Sequence, residues 1–152
     1  MINEQLGIKG KLRIVLTDKN GKVKEDRKET NLVVASGVSY IIDRMVSSDS
    51  GVMSFMGVGS DVVPAQAGDI ALGAASSVRQ ALTSSEIVGP DSNQITYTCA
   101  FGAGVGTGII AEAGIFAQEE AGTMLSRTSF PVVNKAADDS MIITWTITLS
   151  SL

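Results

Sequence analysis

The chain has 152 residues, enough for one domain that buries a core without metal or disulfide support. It contains no histidine, which removes the commonest general base, the usual zinc ligand and every Ser-His or Cys-His nucleophile. The formal net charge of −4 is uneven, with eight basic and five acidic groups in residues 1–30 against four and eleven in the rest. An acidic body grips phosphate poorly, so nucleic acid is not an expected partner.

No run of 18 apolar residues is present, so no membrane-crossing helix is expected. Met1-Ile2-Asn3-Glu4-Gln5 has no signal-peptide character, and synthesis in the cytoplasm is the expectation. In chain order, Leu12, Ile14 and Leu16 alternate with charged residues over 9–17, a strand pattern. Asp18-Lys19-Asn20-Gly21 is a hairpin turn, and the return strand runs from about Lys22 to Val34. Ser36 is the expected N-cap of one short helix near 37–47, where Val38, Ile41, Ile42, Met45 and Val46 recur at helical spacing.

Beyond the helix the pattern is extended. Residues 52–58 read as a buried strand, 59–75 as a long connection and 77–82 as a strand, with a turn developing from 86 to Ser92. Residues 94–101 alternate clearly, and Cys99 falls on the apolar side as a buried, inert thiol. Strands are expected at 109–117 and from Met124 to Phe130, with a loop from Pro131 to Asp139. Ile143-Thr144-Trp145-Thr146-Ile147-Thr148-Leu149 is a half-buried antiparallel strand with threonine on its outward side. Short strands between turns predict a mainly β domain, an antiparallel β-sandwich or jelly-roll-like fold with an N-terminal hairpin and one helix. Residues 1–30 read as a basic hairpin arm and 31–152 as the β body.

No catalytic, cofactor-binding or metal site emerges. Gly102-Ala103-Gly104-Val105-Gly106-Thr107-Gly108 lacks the dinucleotide spacing and precedes no helix, so it reads as a surface loop. Glu119-Glu120 and Asp138-Asp139 read as solvated loop charges. Glu112 lies in an apolar run and calls for a structural cation, with Arg127 and Arg79 the candidates. The methionines read as core filling. The basic residues Lys9, Lys11, Arg13, Lys22 and Lys24 are the expected partner-binding set.

Three segments carry a family pattern: Glu112-Ala113-Gly114-Ile115-Phe116, then Gly122 to Pro131, then Lys135 with Asp138 to Trp145. Asn31-Leu32-Val33-Val34 with Gly37, and Met56-Gly57-Val58-Gly59 before Ala71-Leu72, extend it upstream. Over about residues 30–149 the chain resembles small structural proteins of tailed-phage virions. The resemblance implies assembly without catalysis, as a capsid decoration (cement) protein on the major capsid protein, commonly trimeric, or as a neck, tail, baseplate or fibre-attached component. A carbohydrate-binding module is the competing expectation from another class, and it requires exposed aromatic platforms.

Overall fold

The computed structural model describes residues 5–47 and 49–151. Its strands are β1 (Leu6–Thr17), β2 (Val23–Val33), β3 (Phe55–Gly59), β4 (Gln80–Ala81), β5 (Ser84–Val88), β6 (Gln94–Phe101), β7 (Gly108–Phe116), β8 (Met124–Lys135) and β9 (Ser140–Ser151). One helix, α1 (Ala35–Arg44), follows β2. The protein is mainly β, as its alternation predicts, and every strand pairing is antiparallel.

The strands form one sheet in the order β4-β3-β7-β8-β2-β1-β9-β6-β5. Laid flat, nine strands would span roughly 38 Å at about 4.8 Å per step. Yet β4 and β5, its two ends, are separated in sequence only by Leu82 and Thr83, which reach at most about 10 Å. The sheet must therefore curl. Leu82 N–H donates to Ser54 O (2.9 Å) and Thr83 N–H to Thr98 O (2.7 Å), tying this short link to both ends. On the opposite side, β2 pairs with β1 along its length and with β8 only at Leu32 and Val33.

The curl encloses the core. Leu12, Ile14 and Leu16 of β1, Met56 and Val58 of β3, Cys99 and Phe101 of β6, Ile110 and Ile115 of β7, and Ile143 and Trp145 of β9 pack in one cluster. The expected division into arm and body fails here. β1 lies between β2 and β9, pairs with β9 from Leu6↔Ser151 to Thr17↔Ser140, and contributes three core side chains.

Local chemistry explains the other departures. The N-cap of α1 is Val34, without a side-chain cap, while Ser36 Oγ donates to Met124 O (2.9 Å) and ties the helix to β8. The strand expected at 77–82 shrinks to two residues, and Ser84–Val88, expected to lead into a turn, pairs with β6. β8 runs through Pro131 to Lys135 where a loop was expected. Its register with β7 jumps between Ile110↔Val133 and Glu112↔Ser129, so the proline falls within a bulge of β8, where its missing N–H breaks no ladder bond.

Candidate functional site

The polar groups of the interior hold the fold together. Glu112 on β7 has no exposed surface, and its carboxylate accepts backbone N–H bonds from Gly73 (2.7 Å), Asp61 (2.8 Å) and Ala74 (3.2 Å). Arg127 on β8 is also buried. It donates to Asp69 (2.9 Å) and to Val63 O (3.2 Å), and it lies 3.7 Å from Glu112 and 3.6 Å from Asp61. These bonds clamp the long connection after β3 over the outer side of β3, β7 and β8. Arg127 is thus the cation for Glu112. Arg79 instead lies over the Phe116 ring at 3.4 Å and donates to Gln118 O and Ala121 O.

Two further readings change at residue level. Asp139 is not a solvated loop charge: it is buried, accepts a salt bridge from Lys24 at 2.6 Å and caps Ala136 N–H at 2.8 Å. These bonds hold its carboxyl below the ordinary value, the Lys24 bond contributing most. Met45 is 77% exposed, unlike the buried Met53, Met56 and Met124. Cys99 is fully buried, and desolvation pushes its thiol up to about 12, which leaves it without a usable thiolate. Lys135 is buried with its ammonium on Gly102 O (2.8 Å), and burial lowers its pKa. Among the described residues no group of three or more acidic or Cys side chains is placed to hold a metal ion, and none is part of a helix long and apolar enough to cross a membrane.

What remains is surface, and two unpartnered regions stand out. The first is the outer side of β5, β6, β9, β1 and β2, which no connection covers among the described residues. Its cross-strand rows are Glu86, Thr96, Thr146, Lys11 and Thr30, and next to it Ser84, Thr98, Thr144, Arg13 and Lys28. Thr148 beside Lys9 begins a third row. Thr96 and Thr146 are in hydrogen-bond contact at 3.2 Å. The face is about 19 Å across, from four steps of about 4.8 Å. Threonine is stiff at χ1, so burying such a grid against a partner costs little side-chain entropy.

The expected partner-binding residues divide over this hairpin. Lys9, Lys11 and Arg13 alternate along the bare face of β1, and Arg13 is paired with Asp26 at 2.7 Å. Lys22 and Lys24 lie at the turn end, roughly 13 Å from Arg13 and roughly 25 Å from Lys9 along the strand, and Lys24 is neutralised by Asp139. Lys28, opposite Arg13, completes the cationic cluster. Sequence reasoning missed it, although the Asn20-Gly21 turn held the signal. A two-residue turn there places every residue opposite the one whose number completes the same sum, and the pairs from Gly10↔Asn31 to Leu16↔Glu25 obey this.

The second region is apolar. The inward faces of β1, β9 and β6 continue beyond the enclosed core at the Leu6 end, where a cleft of about 530 Å³ opens. Tyr40, Ile41 and Arg44 of α1 form one wall, with Met53, Ile87, Ile95, Tyr97, Ile147 and Leu149 around the rest. Desolvation pushes the Tyr97 hydroxyl up to about 12. Beside the cleft, Val38, Ile42, Met45 and Val46 stand 44%, 61%, 77% and 88% exposed. No aromatic side chain is among the exposed large hydrophobics of the described residues, so the platform a sugar-binding face needs is not formed there.

Compared with family models, curated proteins and solved structures, the chain finds no match.

Proposed function

We propose that this chain is a structural subunit of a tailed-phage virion, a capsid decoration protein that docks on the major capsid protein or another virion protein. The observation that carries the reading is the division of labour among polar side chains. Glu112, Arg127, Asp139 and Lys135 are engaged in holding the fold, whereas the outward groups of the described residues form a broad hydroxyl and cation face. A flat face with Lys9, Lys11 and Lys28 suits an acidic protein surface presented in many equivalent copies. We read the curl as two facing layers, β5-β6-β9-β1-β2 against β4-β3-β7-β8, a sandwich of jelly-roll-like character. In this reading the protein works in the virion, as a homo-oligomer with trimers favoured, and needs neither cofactor nor metal.

The test is the copy number in purified virions, measured by quantitative mass spectrometry against the major capsid protein. A ratio of one per capsid subunit, or a simple fraction of one, is the expected result. A few to a few dozen copies per particle would move the protein to the neck, tail, baseplate or fibre attachment, and absence from the particle would end the virion reading.

A further inference from the structure

The apolar end of the molecule is larger than the core requires. At about 100° per residue, Ile41, Val38 and Ile42 share one side of α1, which Met45 at its C-cap and Val46 in the following turn continue, and Ser36, Ser39 and Asp43 lie on the other side. Only Ile41 of that apolar side turns into the cleft. The same end exposes Val52 (59%) and Ile87 (71%), which line the cleft, and Leu6 (64%), two residues beyond Ile8 on the inward face of β1. Full burial of such a side chain corresponds to roughly 60–120 Å² of apolar surface. The seven exposed side chains therefore offer on the order of 400 Å² before the cleft walls are counted, near the limit that monomers leave bare and about half of one partner's share of a standard interface.

From this geometry we infer that the mouth is occupied by a second copy of this chain, whose exposed α1 stripe seats in the cleft of its neighbour. Shape and charge both favour that occupant. One molecule carries a projecting apolar stripe and an apolar recess side by side, so a copy supplies the counterpart of each. The molecule's other bare surface is a poorer match for itself, because Lys9, Lys11, Arg13 and Lys28 outnumber Glu86 and Asp26 on it, and Asp26 is already taken by Arg13. The mouth has no such conflict: its charged neighbours are Arg44 on the wall and Asp43 behind the stripe, and Asp43 already accepts a bond from Ser50 (2.6 Å). The outer face is thereby left free. The inference deepens the assembly reading and rests on it only for where the oligomer works.

Sedimentation velocity on the purified full chain tests it, over concentrations spanning the micromolar range of specific association. The native protein should sediment as an oligomer. Ile42→Glu combined with Val46→Glu should sediment as a monomer, with the far-ultraviolet circular dichroism and Trp145 fluorescence of the folded chain retained, since both sites are already exposed. Lys9→Glu with Lys11→Glu should leave the oligomer intact. A native protein that is monomeric throughout overturns the inference, and so does an oligomer that the stripe variant leaves unchanged. An oligomer dissolved only by the lysine variant would move the contact to the outer face and overturn it as well. None of these outcomes alters the virion copy number, so the two readings fail separately.

Discussion

At the residue scale, the centre of polar stability is Glu112. Three backbone donors from the long connection converge on a carboxylate with no exposed surface, beside a buried guanidinium. Glu112→Ala removes their acceptor and leaves Arg127 with less countercharge. Deleting one partner of a buried pair costs about 3–5 kcal/mol, so the urea midpoint should fall by that equivalent at unchanged slope. Arg127→Ala leaves Glu112, Asp61 and Asp69 facing one another without their cation and should cost a similar amount. The double variant should lose clearly less than the sum, because the two act as one unit. Asp139 carries part of the pH dependence, alongside Asp26, whose bond from Arg13 also lowers its pKa. The folded pKa of Asp139 lies below the ordinary 3.8, so the unfolded chain binds the proton more readily. Its contribution is therefore complete above 3.8 and disappears as pH falls through the folded value. Asp139→Asn should unfold at lower urea than the native protein at neutral pH, and the two midpoints should converge as the buffer is taken below 3.8.

At the element scale, α1 is held by close approach more than by its own propensity. Its N-cap lacks a side-chain bond, ten residues make a marginal helix in water, and its only buried residue is Gly37. A Cβ at Gly37 would land on the Leu125 carbonyl, so Gly37→Ala should push the helix off β8. A loss of about 1–3 kcal/mol is expected from overpacking, with faster backbone amide exchange confined to α1 as the distinguishing readout. The helix was legible from its apolar spacing, but its cap was not, because Ser36 gives its hydroxyl to Met124 across the chain instead of to the helix itself. β6 and β9 were legible because one side faces core and the other solvent, which writes a period of two. β5 was not: Glu86 faces outward and Ile87 is 71% exposed, so an edge strand over the open mouth leaves no burial pattern to read. The cation for Glu112 was legible as a need and as a short list. The loop that meets it was not, since Asp61, Gly73 and Ala74 reach it through main-chain N–H groups that any sequence possesses.

At the scale of the whole molecule, the basic hairpin is structural first. Deleting residues 1–30 removes β1 and all but the last three residues of β2 from the middle of the sheet, and takes Leu12, Ile14 and Leu16 out of the core. Circular dichroism and limited proteolysis of that truncation should report an unfolded chain, and a protease-resistant β remainder would contradict the strand order. The adjacency of β1 and β9 also governs how the protein is made. Leu6 finds its partner in Ser151, so β1 leaves the ribosome well before the β9 strand it pairs with. At ~5–20 residues per second the interval between β2 and the end of β9 is on the order of ten seconds, during which one edge of the β1–β2 hairpin stands open. An open apolar edge invites pairing with other nascent chains, and lysines along it discourage that. Lys9 and Lys11 are thus placed to guard the unfinished chain on the ribosome, and a copy whose synthesis stops short of β9 never acquires the closed form.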